Sequence, residues 1–568
     1  MQRGRRQDLR VNLFDKNNHS ARALILCLVL VAVCYANSIP NAFILDDVLI
    51  VAANEHIRHV EPLHFLFQSY WGDLNHAGIY RPLTIFSFSL EYSIWHVWAP
   101  GFRATNLLLH ALNGWLVYLL VRGLLGSHLA ALASAVVYVI HPMQTESVVS
   151  VVGRSELLAA ALFFTAWLAF RRGRTGWSAA AFFLAVLAKE SAITFPAIAI
   201  VEMAIAEDGI RKVKESWRRF ALLAGTAFAY LGLRAYVLGG LGIPRSGQYL
   251  NGTLTFVERW MTSGRVFIQY FRLLFAPVRV TGDYDFNSIP VAGIGDWDAW
   301  IGLALVLGCI AAACIFAKRK PAVSLGILFF FITLLPVSNW IMPIALLMAE
   351  RFLYTPAFGF ALLAGMTWAA IRDQRFRRLI AAGVVSVSAL LCIGHNYIWQ
   401  DTLTFHENAV RIEPENARAR LGYGFALLRA DKVQDAKAQF EEGLRILPRS
   451  APLLAGLAGT MMRIDGHCDR VRPLLGQALM VDPGQWHSLW VLGDCFLMEG
   501  KSEQAEQSYR LAIQNSEFPD AKLLFSWARI LESMGKTSTA VAAYERAALI
   551  DPTDESIKMK LQQLARSN

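Results

Sequence analysis

This chain is short of charge. Asp, Glu, Lys and Arg make up 17% of its 568 residues, against 55% apolar and 12% aromatic, which excludes an ordinary soluble protein of this size. The mean hydropathy of +0.38 points the same way. Cysteine is scarce too. There are seven, and Cys27, Cys34, Cys309, Cys314 and Cys392 lie inside apolar runs as packing residues. Cys468 and Cys495 have no metal-type spacing; an oxidising compartment would let them pair, and the sequence does not decide it. The first apolar run follows a basic stretch (Arg3, Arg5, Arg6, Arg10), as in a signal peptide, but no small-residue cleavage site follows. The run reads as a retained anchor.

The net charge of +10 would suit a nucleic acid if it formed one face. Instead most Lys and Arg residues lie in short segments between apolar runs, which is orientation chemistry, and nucleic acid is excluded as a partner. Long apolar runs fill residues 21–395, whereas 399–568 read as a soluble helical domain, with the break near Trp399. The expected organisation is a basic cytoplasmic tail over 1–22, a membrane domain over 23–395 with outer loops 40–104 and 239–299, and a solenoid over 396–568.

Eleven runs are expected to span: Ala23–Ile39, Thr105–Leu125, Leu129–Ile140, Leu157–Phe170, Trp177–Leu187, Ala192–Ala206, Phe220–Leu238, Trp300–Ala317, Ala322–Leu335, Phe352–Ile371 and Leu379–Ile393. This count puts the tail, Arg122–His128, Arg171–Arg174, Arg211–Arg219, Lys318–Lys320 and Arg372–Arg378 on one side, as the positive-inside rule asks. Promoting Val266–Phe275 to a span would send Lys318–Lys320 outside, so that run is expected to be an interfacial helix with Arg265 and Arg272 on its polar side. An odd number of spans places residues 396–568 on the non-cytoplasmic side.

That last segment repeats itself every 34 to 35 residues: Ala436, Phe440, Gly443, Pro448; Val471, Leu475, Ala478, Pro483; Ala505, Tyr509, Ala512; Ala540, Tyr544, Ala547, Pro552. This is the pattern of a TPR array. Gly424 and Gly493 fall where the first helix of a repeat packs tightest, and Trp399–Pro414 reads as half a repeat. Such grooves hold a peptide or protein partner.

Chemistry is expected in the outer loops. The 40–104 loop is too long for a plain connection and opens on Asp46-Asp47, then runs through Trp71, Tyr80-Arg81-Pro82-Leu83 and Trp95. Later outer segments read His141-Pro142-Met143-Gln144-Thr145-Glu146, Gly153-Arg154-Ser155-Glu156, Lys189-Glu190, Asn339-Trp340 and Glu350-Arg351. Each alone fits a snorkelling anchor or a helix cap. Together they gather ionisable groups at one membrane face, which builds a site at a lipid–water boundary. Asp283-Tyr284-Asp285 is a weak alternative that would hold a metal through Asp283 and Asp285.

The order of these motifs, from Leu45-Asp46-Asp47 through Glu350-Arg351-Phe352-Leu353-Tyr354 to the repeats, resembles the TMTC-type family of transmembrane, TPR-containing O-mannosyltransferases. The resemblance runs from about Asp46 to Pro552. It implies an all-α fold of the GT-C class, a polyprenyl-phosphate sugar donor, and catalysis by the acidic pair, with about four repeats pointing to a bacterial relative. The localisation implied is an inner membrane with the solenoid in the periplasm, or an ER membrane with the solenoid in the lumen.

The residues fit that chemistry on their own terms. A leaving lipid phosphate can be stabilised by Arg and Lys without a divalent metal, and one carboxylate must take the acceptor proton. The expected roles are Asp46 as base and Asp47 orienting the acceptor. Arg81, Arg154, Lys189 and Arg351 are expected at the phosphate, and His141, Glu146, Glu156, Glu190 and Glu350 as sugar ligands or pairing partners. No cofactor is expected beyond the lipid-linked donor. A membrane-anchored TPR adaptor without catalysis is the competing reading; it leaves the acidic pair unexplained. An oligosaccharide ligase or polymerase is disfavoured because the long loops are early and central.

Overall fold

Long apolar runs, with proline at the first turns of several helices, give a chain built from helices. A computed structural model describes residues 18–70, 78–206, 209–240, 254–284, 288–341, 343–344, 346–516, 520–550 and 554–567, and no strand of a sheet occurs among them. The chain divides after Asp401 into two units, Met1–Asp401 and Thr402–Asn568.

Counting helices of ten residues or more, the first unit comprises α1 (His19–Tyr35), α2 (Pro82–Trp95), α3 (Ala99–Leu125), α4 (His128–Ile140), α5 (Arg154–Arg171), α6 (Thr175–Ala188), α7 (Phe195–Ile205), α8 (Trp217–Leu238), α9 (Phe256–Phe275), α10 (Trp297–Phe316), α11 (Pro321–Leu334), α12 (Ala357–Ala370) and α13 (Gln374–Ile398). Each of the eleven expected spans coincides with one of these. Proline at the first turn of α2, α3, α7 and α11 starts them without losing a hydrogen bond. Gly126, at φ +67°, ends α3 in the left-handed conformation.

Among the described residues six stretches have the length and composition to cross a bilayer: His19–Ser38, Ala99–Leu125, Val151–Arg171, Trp217–Leu238, Trp297–Phe316 and Gln374–Ile398. They fit an integral membrane protein. The other five expected spans form helices of 11 to 14 residues, and at about 1.5 Å per residue they reach roughly 17–21 Å, short of a full bilayer core. Large apolar side chains stand exposed on α8, α10 and α13, among them Phe228, Leu307 and Leu390, as lipid-facing surfaces require.

Two helices lie outside the expected spans. α2 occupies the outer loop, burying Ile85, Phe88 and Glu91 on one face. α9 contains the expected Val266–Phe275 helix but starts ten residues earlier, at a capping box in which Thr255 and Glu258 satisfy each other's backbone N–H groups. Its Gly264 meets Gly302 of α10 so closely that neither position has room for a Cβ. Arg265 then reaches Asp296 and Asp298 at the start of α10, both at 2.8–2.9 Å.

The second unit is the helical repeat array. Its helices are α14 (Thr402–Ile412), α15 (Ala417–Arg429), α16 (Val433–Ile446), α17 (Ala451–Asp465), α18 (Cys468–Val481), α19 (Trp486–Met498), α20 (Ser502–Asn515), α21 (Ala521–Ser533), α22 (Thr537–Ile550) and α23 (Glu555–Ser567). The periodic residues Ala436, Phe440, Val471, Leu475, Ala505, Tyr509, Ala540 and Tyr544 are buried. The Phe440 ring lies on Gly424 and Gly456, and the Tyr509 ring on Gly493. Pro552 lies outside the described residues. Cys468 and Cys495 are joined as a disulfide with Cα atoms 5.5 Å apart, linking α18 to α19 across 27 residues. Closing a loop of that size contributes roughly 3–4 kcal/mol by chain entropy. Reduction is expected to lower the melting temperature of the solenoid transition in the full chain, and Cys468→Ser to reproduce the shift. An unchanged transition after reduction would show that the bridge does not form.

Candidate active site

The acidic pair follows α1 by way of a single 3₁₀ turn, Ala36–Ser38. Leu45 then takes a left-handed conformation, φ +50°, which costs a branched-chain residue on the order of 1–2 kcal/mol. Bonds from Asp47 N to Ile44 O (3.0 Å) and from Val48 N to Leu45 O (3.2 Å) hold this turn. The turn splits the pair. Asp47 is fully buried, and its Oδ1 accepts from Ser150 Oγ (3.1 Å) and Val152 N (2.9 Å). Burial pushes its carboxyl up to about 6, against the pull of those donors and of Arg103. Asp47, expected from sequence to orient the acceptor, uses Oδ1 to hold the 150–152 segment under the turn. Asp46 is half-buried, and among the described residues its side chain makes no hydrogen bond or ion pair.

The cations around it are paired. Arg81, at the N-terminus of α2, bonds Glu190 through two parallel contacts of 2.9 and 2.5 Å and lies 5.3 Å above the Tyr70 ring. Burial opposes the Arg81 charge, but the carboxylate outweighs it: Arg81 is raised and Glu190 lowered. Glu146 accepts from the backbone N–H of Arg351 at 2.7 Å and from its guanidinium. Lys189 bonds Glu156, both buried, and burial with the nearby Arg81 and Arg351 charges draws the Lys189 amine well below its usual range. The charges of Asp46, Arg81, Glu146, Lys189, Glu190 and Arg351 thus act on one another. Within this cluster Arg351 is the most accessible cation, with 31% of its side chain exposed against 14% for Arg81 and 3% for Lys189. Lys189 and Glu156 line a cleft with Ser191, Thr333, Phe352 and Thr355.

Three expected contacts prove to be internal. Arg154 is buried and saturated: it bonds Glu91 at 2.6 and 3.1 Å, Phe102 O at 2.8 Å and Asn106 Oδ1. It is a strut rather than a phosphate ligand. His141 uses both ring nitrogens, Nε2 toward Leu274 O (3.0 Å) and Nδ1 accepting from Met143 N (3.3 Å), so it joins the end of α9 to its own loop. Burial pushes its imidazole down to about 4. Glu350 is likewise enclosed and accepts from the Tyr284 hydroxyl at 2.6 Å. Asp285 of the alternative metal reading, and Trp71, lie outside the described residues. Among the described residues no three His, Cys, Asp or Glu side chains are grouped to hold a metal ion.

Comparison with known proteins follows the same outline. A tetratricopeptide repeat model matches residues 465–522. Protein O-mannosyl-transferase TMTC3 of Mus musculus is 24% identical, over 93% of this chain and 64% of its own length. Protein O-mannosyl-transferase Tmtc3 of Drosophila melanogaster is 26% identical, over 74% of this chain and 55% of its own length. These proteins are homologues of this chain. The chain thus spans between 55% and 64% of the length of these two relatives. A crystal structure of a thermophilic TPR protein from Thermus thermophilus is 20% identical, covering 32% of this chain and 95% of the other at a TM-score of 0.25.

Residue reading missed Glu91, Tyr70 and Tyr284 as parts of this face. For Glu91 a signal existed: it is the one charged residue inside the apolar stretch Pro82–Trp95, and such a residue needs a partner. The Glu350 carboxyl yields a prediction in pH. Burial, then the neighbouring Glu146 charge, raises it from 4.5 to about 8. The folded state therefore holds this proton after an unfolded glutamate has lost it. Its contribution to stability is full below pH 4.5 and is lost as pH rises to about 8. Glu350→Gln keeps an acceptor for Tyr284 and removes the titration, so the variant should lose less stability than the parent between those limits, by a few kcal/mol at about pH 8. Parallel pH-melting curves for both proteins would contradict this.

Proposed function

We propose that this chain is a membrane glycosyltransferase that moves a sugar from a polyprenyl-phosphate carrier to a hydroxyl of a protein acceptor. The observation that carries this reading is Asp46, a half-buried carboxylate without a hydrogen bond or ion pair among the described residues, whose charge acts on Arg351, itself coupled to Arg81 and Lys189. Asp46 takes the proton of the acceptor hydroxyl as its oxygen attacks the anomeric carbon. The bond from that carbon to the phosphate oxygen breaks on the opposite face, so the configuration inverts. The electron pair leaves on the lipid phosphate, whose charge Arg351 meets first and Arg81 and Lys189 support. The names of the relatives support mannose as the sugar and protein as the acceptor class. The helical repeats support an acceptor polypeptide held in their groove. The disulfide supports a solenoid on an oxidising, non-cytoplasmic side, such as a bacterial periplasm.

Purified protein supplied with a panel of polyprenyl-phosphate sugars and acceptor peptides tests the reading. Transfer is expected from a mannosyl donor, and chelators are expected to leave it nearly intact. Strict dependence on Mn²⁺ or Mg²⁺, lost in Asp283→Ala, would move the chemistry to the Asp283 loop. Binding of client proteins with no transfer from any donor would make the chain an adaptor.

A further inference from the structure

Four polar residues recur along α3 at positions i, i+3, i+7 and i+10: Arg103, Asn106, His110 and Asn113. That spacing puts them on one face of the helix. All four are buried, none more than 1% exposed, in a helix whose other buried residues are mostly apolar. Between them they reach the 41–42 and 149–150 backbone, the neighbouring helices and the Tyr354 hydroxyl. Arg103 donates from Nε to Val149 O at 3.0 Å, and from its two terminal nitrogens to the carbonyls of Asn41 and Ala42. Asn106 donates to Ser150 O at 2.9 Å and accepts from Arg154. His110 Nε2 bonds Val139 O at 3.0 Å, which assigns the proton to Nε2 and leaves Nδ1 to accept from the Tyr354 hydroxyl at 2.8 Å. Asn113 donates to that same hydroxyl and to Leu157 O, both at 3.0 Å. Tyr354 N in turn bonds Arg351 O at 3.2 Å.

One rigid face therefore grips the backbone just ahead of the acidic turn, the 149–150 backbone beside the residues that hold Asp47, and the turn that bears Arg351. We propose that this stripe is the positioning element of the site, and that Arg103 is a positioning residue for Asp46, fixing the base relative to Arg351. The inference rests on the reading of Asp46 as base. Its chemistry is that of the guanidinium: three nitrogens reach three carbonyls at once, which one lysine ammonium cannot reproduce. A misplacement of about 1 Å can cost 10²-fold in rate.

The test is a double-variant cycle on the full chain. Arg103→Lys keeps the charge and is expected to lower kcat on the order of 10- to 100-fold, with the donor KM changed by less than about 3-fold, since binding is not its task. In the Asp46→Asn background the same substitution should cost nothing further, because Arg103 acts only through Asp46. Tyr354→Phe, which removes the hydroxyl shared by His110 and Asn113 at constant ring size, is the second arm. It should lower kcat with the donor KM held, even if Arg103→Lys fails to fold. Multiplicative losses in the cycle, or an unchanged kcat in Tyr354→Phe, would overturn the inference. Full turnover in Asp46→Asn would instead overturn the base assignment beneath it.

Discussion

Replacing Asp46 by asparagine is expected to lower sugar transfer by about 10²- to 10⁴-fold, the usual contribution of a general base, while folded yield and donor binding stay near those of the parent. The expectation follows from what the Asp46 side chain lacks. Among the described residues it holds nothing in place, so the isosteric amide removes a proton acceptor and no structural bond. Asp47→Asn should behave differently. The amide oxygen can still accept from Ser150 and Val152, so the turn survives, and what is lost is a buried charge facing Arg103. Its effect on transfer should be the smaller of the two. Both variants are to be assayed for transfer and for donor binding on the same preparations. Parent-like turnover in Asp46→Asn would remove it from the mechanism. Equal losses in both, with weakened folding, would make the turn a structural element only.

The largest effect on stability should come from Arg154→Met. This guanidinium is 1% exposed and is the partner of Glu91, itself 8% exposed. Removing one member of a buried pair leaves the other desolvated and unpaired, at a cost of about 3–5 kcal/mol. Asn106 and the Phe102 carbonyl lose donors as well. The variant is expected to give little folded protein at ordinary temperature. The double change Glu91→Leu with Arg154→Met, which replaces both charges with apolar groups, should recover much of the loss, and thermal melting in detergent would report it. Recovery of folding together with transfer would show that Arg154 never touches the donor. A folded, melting-neutral Arg154→Met with weakened donor binding would return Arg154 to the phosphate.

The contrast between Arg154 and Arg351 shows what a sequence makes legible here. Apolar runs and the 34-residue repeat announce themselves locally, so each expected span falls on a helix and Phe440 and Tyr509 bury where the repeat places them. The partner of a cation is not local. Glu91 lies 63 residues from Arg154, and Glu146 lies 205 residues from Arg351. No spacing rule joins them, so one cation reads like the other until packing encloses the first and leaves the second partly open. Asp46 and Asp47 pose the same problem at the shortest range. Adjacent residues point apart, but only the left-handed turn at Leu45 decides which of them faces inward. Helix α2 went unread because 14 residues carrying a glutamate look like loop rather than bilayer. The early start of α9 was legible in Thr255 and Glu258, a spacing that satisfies a helix N-terminus.

The disulfide between α18 and α19 has a mechanical consequence. A solenoid behaves as a spring whose compliance is shared among the joints between successive repeats. The Cys468–Cys495 bridge ties the second helix of one repeat to the first helix of the next, so one joint is locked while its neighbours keep their give. A polypeptide lying along the array would meet one joint fixed covalently, whatever its own sequence.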